Sequence, residues 1–129
     1  MFAPPARSRP KTILVVEDNF WSRKLMEVHL EMHGYTSLLA IEGAAALMIA
    51  QEQEVDLILM DIQLPDIPGT EAIRRLKLDA KTKTIPIIAV TAFALPTEKN
   101  LILTSGCEAY IAKPFKGEAL MKLVEQYTS

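Results

Sequence analysis

Short apolar runs alternate along the chain with longer stretches of helical spacing. Residues 12–16 (TILVV) are β-branched or apolar without a break, the pattern of a strand buried on both faces. Residues 19–33 have helical spacing, with Leu25, His29 and Met32 near one face and Gly34 as the stop. The alternation repeats. Strands are predicted at 35–40, 55–60, 86–90 and 108–112, and helices at 42–53, 70–79, 96–105 and 116–127. Pro96 opens the fourth helix and Gly106 closes it.

Strands alternating with helices imply right-handed crossovers and a parallel sheet covered on both faces. The expected fold is α/β: a flavodoxin-like, doubly wound (βα)5 sheet of strand order 2-1-3-4-5, with its site at the carboxyl ends of the strands. Residues 1–11 differ in character, with Pro4, Pro5 and Pro10 among Arg7, Arg9 and Lys11. They read as a flexible arm ahead of one domain, 12–129, and lack the apolar stretch of a signal peptide.

The chain has 129 residues, 50% apolar and 23% charged, with a net charge of −2, which suits one globular domain. That balance argues against direct nucleic-acid binding, and no effector helix-turn-helix is seen. No apolar run approaches the roughly 18 residues of a membrane span. Cys107 is the single cysteine and excludes an internal disulfide, so a reducing cytoplasm is expected. The scattered methionines read as core filler. His29 reads as a residue at the core edge, and Cys107 as packed in the turn before the last strand.

The strand ends carry the candidate chemistry. The first strand runs into Glu17 and Asp18, the third into Asp61, the fourth into Thr91 and the fifth into Lys113. In the expected order all five side chains converge on one crevice. Three carboxylates facing one ammonium need a further cation, and oxygen-only ligands favour magnesium. A carboxylate beside such a cation, with a lysine and a hydroxyl nearby, suits attack on a phosphoryl group. Taken singly, each residue has an ordinary reading as a turn, cap or surface residue.

The set Glu17-Asp18-Asn19, Met60 through Pro65, Thr91-Ala92 and Lys113-Pro114-Phe115 resembles the receiver domain of bacterial two-component response regulators, the CheY-like superfamily. The resemblance spans 12–127, and its wording is nearest to single-domain regulators of the DivK type and receivers of hybrid histidine kinases. It implies that Asp61 accepts a phosphoryl group from a histidine kinase or a histidine phosphotransfer protein. Asp18, Asp61 and the backbone carbonyl of Gln63 would ligate Mg2+, with Glu17 acting largely through water. Lys113, the Thr91 hydroxyl and the Ala92 amide would take phosphoryl oxygens. Tyr110 would be the switch aromatic paired with Thr91, and Lys113-Pro114 a cis peptide.

Leu95, Lys99 and Leu103, spaced four apart, form a stripe along the fourth helix. The resemblance places that stripe beside Tyr110 on an output face of the fourth helix, fifth strand and fifth helix, for a downstream protein effector. Kinase docking would use Phe20 and Trp21 at the start of the first helix. Gln63 and Phe93 would flank the phosphoryl group, Phe93 screening it from water and slowing self-dephosphorylation. Pro68 departs from the family pattern and alters how the third helix starts. The chain is expected to act as a switch, not an enzyme beyond its own phosphorylation and dephosphorylation, and to be a monomer or weak dimer. A receiver cut from a hybrid kinase remains an alternative. An aspartyl-phosphate phosphatase is disfavoured because Gln63 stands where a general acid is wanted. A flavodoxin-like cofactor binder is disfavoured because Glu17-Asp18 would repel phosphate.

Overall fold

The computed structural model describes residues 10–92 and 96–129. The elements run β1 (Thr12–Val16), α1 (Phe20–Met32), β2 (Thr36–Ala40), α2 (Gly43–Glu52), β3 (Leu57–Asp61), α3 (Gly69–Leu78), β4 (Ile87–Thr91), α4 (Pro96–Thr104), β5 (Ala109–Ala112) and α5 (Gly117–Thr128). All neighbouring strands pair in parallel, in the order β2-β1-β3-β4-β5. The expected α/β fold and strand order are therefore both present.

Alternation along the strands divides the core in two. Leu14, Val16, Ile58, Met60, Ile87 and Ala89 face α2, α3 and α4, where Ala46, Ala50, Ile73, Leu76 and Ile102 are buried against them. Ile13, Val15, Leu57, Leu59, Ile88 and Val90 face α1 and α5, meeting Met26, Leu30, Leu120, Met121 and Val124. The three central strands are covered on both sides, which is why their sequences read as unbroken apolar runs.

Several expectations need correcting. β3 begins at Leu57, not 55, because Asp56 is occupied with Thr12: its Oδ2 accepts the Thr12 N–H at 2.8 Å, and its N–H donates to Thr12 O at 2.8 Å. The strand runs on through Asp61 itself, and β4 runs on through Thr91. In α1 the buried row is Met26 and Leu30, whereas Leu25 and Met32 are exposed. At about 100° per residue, Trp21, Leu25, Val28 and Met32 fall within an arc of about 60° on a different side of the helix from that row. The helix has two apolar faces, and among the described residues only the Met26–Leu30 row is buried. Met32 and Met48 are exposed, so methionine acts as core filler only at Met26, Met60 and Met121 among the described residues.

His29 lies at the core edge as expected: a Cβ on Gly117 would meet its ring at 2.1 Å, so the start of α5 rests on that imidazole. Cys107 is half-buried, its Sγ 3.2 Å from Ile102 O. No helix among the described residues is long and apolar enough to cross a membrane.

Candidate functional site

Backbone pairing brings Glu17, Asp18, Asp61 and Lys113 to one crevice at the ends of their strands. After β1, the Glu17 N–H donates to Ala40 O at 3.0 Å, which extends the sheet by one residue and buries the Glu17 side chain completely. Asn19 then caps α1, its Oδ1 accepting the Ser22 N–H at 3.0 Å. Its own N–H donates to Glu17 Oε2 at 3.2 Å. From the first turn of α1, Arg23 Nη1 reaches back to Glu17 O at 3.0 Å and Asp18 O at 3.3 Å, fixing the turn that carries both acids.

Asp61 ends β3 almost fully buried, with its Oδ1 accepting the Gln63 N–H at 3.1 Å. Gly69 opens α3 directly against this strand end. A Cβ there would lie 2.2 Å from Asp61 O, so only glycine permits the approach. Pro68 stands at the N-cap of α3 without a side-chain cap bond. On the other side, the Lys113 N–H donates to Thr91 O at 2.7 Å and brings the end of β5 beside that of β4. The Lys113-Pro114 peptide is cis, as expected.

Glu17, Asp18 and Asp61 each offer a carboxylate oxygen, and these lie within 4.8 Å of one another. Lys113 Nζ makes a short ion pair with Glu17 Oε1 and stands 3.8 Å from Asp61 Oδ2. The ammonium therefore serves Glu17 first. Burial pushes Glu17 up, but hydrogen bonds with Asp61 and Lys113 and the Lys113 charge outweigh it and hold the group below the usual carboxylate range. Asp61 goes the other way. Burial and the hydrogen bond with Glu17 push it up to about 7, against the opposing Gln63 amide and Lys113 charge. Asp61 therefore keeps its proton to a higher pH than an ordinary carboxylate. Hard oxygen donors, this close and short of positive charge, fit a divalent cation such as magnesium.

Thr91 is fully buried at the end of β4 and Ala92 is exposed beside it. Tyr110 lies away from the carboxylates: it is opposite Ala89 in the sheet and packs, half-buried, on the core that faces α2, α3 and α4. On α4, Lys99 is half-buried and Leu103 exposed, while Ile102 between Leu101 and Leu103 is buried. Phe93 and Leu95 lie outside the described residues, as do residues 1–9 of the expected arm. Phe20 and Trp21 are exposed at the rim and pack edge-to-face, ring centroids 5.1 Å apart.

Two residues that fix loops at this end of the sheet escaped sequence reasoning, Arg23 and Asp66. Arg23 bonds to backbone carbonyls, which leave no pattern in a sequence. Asp66 binds the start of α2, more than twenty residues away, and only its place in a short acidic-proline loop hints at a turn.

Residues 13–125 match the response regulator receiver domain family. Over 118 residues the chain is 42% identical to the polar-differentiation response regulator DivK of Brucella anthropi, covering 92% of this chain and 96% of that protein. The receiver domain of sensor histidine kinase PA1611 from Pseudomonas aeruginosa PAO1, solved with a magnesium ion coordinated in its active-site cleft, superposes with a TM-score of 0.87 at 35% identity, covering 92% and 98% of the two chains. The Mn2+-bound form of response regulator Rcp1 superposes with a TM-score of 0.77 at 25% identity, covering 91% of each. With its acidic pocket at the carboxyl ends of the strands, the chain belongs to the receiver domains of the two-component response regulators, a family of signalling proteins.

Proposed function

We propose that this receiver is switched on by phosphorylation of Asp61. The observation that carries the reading is the meeting of Glu17, Asp18 and Asp61 with Lys113 at the ends of β1, β3 and β5. A phosphohistidine of a histidine kinase or histidine phosphotransfer protein is the donor. The Asp61 carboxylate attacks phosphorus, a P–O bond forms, and the P–N bond breaks to leave a neutral imidazole on the donor. Asp18, Asp61 and the Gln63 carbonyl, with Glu17 acting largely through water, would hold a magnesium ion, which would supply charge neutralisation for the transferring group. Lys113, moving its ammonium from Glu17 towards the new phosphoryl oxygens, holds one of them. The Thr91 hydroxyl and the Ala92 N–H take another.

The rim fits a helical donor. Trp21, Leu25, Val28 and Met32 form an exposed apolar stripe along α1. Beside it, Ser22, Leu25, Ala92, Lys113, Pro114 and Phe115 line a pocket leading to the site. Drawing Thr91 towards the phosphoryl group would free room for Tyr110 and change the face formed by α4, β5 and α5, where Lys99 and Leu103 would meet a downstream protein. Free-standing regulators and kinase-borne receivers are both among the relatives, and the chemistry is common to the two.

With Mg2+ and acetyl phosphate, the wild-type protein should gain one acid-stable, base-labile phosphoryl group, seen as a mass increase. Asp61→Asn should gain none, and robust labelling of that variant would overturn the assignment.

A further inference from the structure

The first turn of a helix leaves backbone N–H groups without partners, and a residue at its own N-cap ordinarily supplies one. In α2 that residue is Glu42, whose side chain makes no capping bond. The cap comes instead from the connection between β3 and α3. Asp66 Oδ1 accepts the Gly43 N–H at 2.8 Å, and Oδ2 accepts the Ala44 N–H at 2.8 Å. Both are charge-assisted bonds at the positive end of a helix dipole. These amides hold the Asp66 carboxyl below its usual range.

Packing supports the same junction. A Cβ on Gly43 would meet Ile67 Cγ1 at 2.5 Å, so the glycine lets the connection lie flat on the start of α2. At its other side the connection is tied to the phosphoacceptor strand. The Gln63 N–H donates to Asp61 Oδ1 at 3.1 Å, and the Gly69 N–H donates to Ile62 O at 2.8 Å. Gln63 thus lies on a short span anchored at both ends, by Asp61 on one side and by Asp66 on the other.

We infer that Asp66 is a positioning residue for the phosphoacceptor site: by clamping residues 62–68 to the N-terminus of α2, it holds Gln63 in place for metal binding beside Asp61. The inference rests on the proposed function and deepens it. It also makes α2 a responder, because a contact that helps the metal to bind must itself be strengthened when the metal binds.

Isothermal titration of the full chain with Mg2+ is the test, alongside phosphorylation by acetyl phosphate and amide hydrogen exchange. Asp66→Ala should weaken Mg2+ binding by about five-fold or more, the low end of coupling between sites. Its phosphorylation rate at saturating Mg2+ should stay within about two-fold of wild type, since Asp61 and Lys113 are untouched. Asp66→Asn, which keeps one acceptor oxygen, should fall between the two and serves if the alanine variant does not fold. In the wild type, Mg2+ should slow exchange of the Gly43 and Ala44 amides, and Asp66→Ala should remove that response.

Thr82→Val, at the far end of the sheet, controls for stability alone: it removes the bond from Thr82 Oγ1 to Leu76 O and should lower Tm without changing Mg2+ affinity. The inference is overturned if Asp66→Ala behaves like Thr82→Val, or if the Gly43 and Ala44 amides ignore Mg2+. A wild-type protein that neither binds Mg2+ nor accepts a phosphoryl group would instead remove the functional reading beneath it.

Discussion

The two ends of the parallel sheet treat charge in opposite ways. At the amino end, charged groups are matched. Lys77 Nζ donates to Ile85 O at 2.7 Å and to both Glu108 oxygens at 2.6 and 2.9 Å. Glu108 also accepts the Ile87 N–H at 3.2 Å, and Asp56 closes the start of β1. At the carboxyl end three carboxylates cluster, Lys113 pairs with Glu17 and lies 3.8 Å from Asp61, and Asp61 is pushed up to about 7. The same apolar strands support both ends. One end holds the molecule together, while the other keeps a charge deficit that a cation and a phosphoryl group can relieve.

The largest expected effect tests how rigidly the carboxyl end is built. Gly69→Ala would place a Cβ 2.2 Å from Asp61 O and 2.6 Å from Ile62 Cα, both backbone atoms that cannot turn aside. It should cost about 3 kcal/mol in denaturant unfolding and impair phosphorylation as well. A loss below about 1 kcal/mol would show that this strand end yields easily.

The next effect runs towards greater stability. An aspartate held near 7 binds a proton in the folded state that the unfolded chain has already lost, so it lowers stability as pH rises from the ordinary carboxylate range, 3.8, to about 7. Without divalent metal, Asp61→Asn should therefore match wild type near pH 4 and exceed it by about 2 kcal/mol at pH 5.5. Adding Mg2+ should raise the Tm of wild type and leave Asp61→Asn nearly unchanged. Equal stabilities across that pH range would mean the carboxyl end carries no charge deficit.

A smaller loss should mark the opposite end. Lys77→Met keeps the aliphatic stem but strips Glu108 and Ile85 O of their donor, which should cost about 1 kcal/mol. Phosphorylation of Asp61 should be unaffected. A change in phosphorylation rate would show that the two ends are coupled through the sheet.

Sequence made the carboxyl end legible because each of its residues closes an apolar run. Asp61 follows LILM and Thr91 follows IIAV, so period and topology together put them at the carboxyl ends of adjacent strands. The division of labour inside the crevice was not legible. Nothing in the order of residues says that Lys113 pairs with Glu17 before Asp61, since that depends on side-chain reach across the sheet. The two apolar faces of α1 were hidden for a related reason. Helical spacing marks Leu25 and Met32 as apolar positions, but which row is buried is decided by where α5 and the sheet lie. Arg23 and Asp66 act on backbone groups, and a sequence does not show which backbone group will need a partner.

The smallest effect on folding is expected at Leu103, near the last turn of α4, and it asks whether the region beyond the charged crevice only supports it. Ile102 is buried, and the leucines on either side, Leu101 and Leu103, are exposed by 64% and 52%. Adjacent helical residues turn by about 100°, so a helix that buries Ile102 must send its neighbours outward on opposite flanks. An exposed leucine alone is ordinary on any protein surface. Leu103 differs in sharing α4 with Lys99, on the face proposed to respond when Thr91 and Tyr110 move. Leu103→Glu should change unfolding free energy by no more than about 0.5 kcal/mol and leave acetyl phosphate labelling of Asp61 intact. It should nonetheless remove phosphorylation-dependent association with a downstream protein or a second copy, read by sedimentation against the wild type. If the variant associates like wild type, the output surface moves to the Trp21 end of α1, and function lies wholly at the charged end of the sheet.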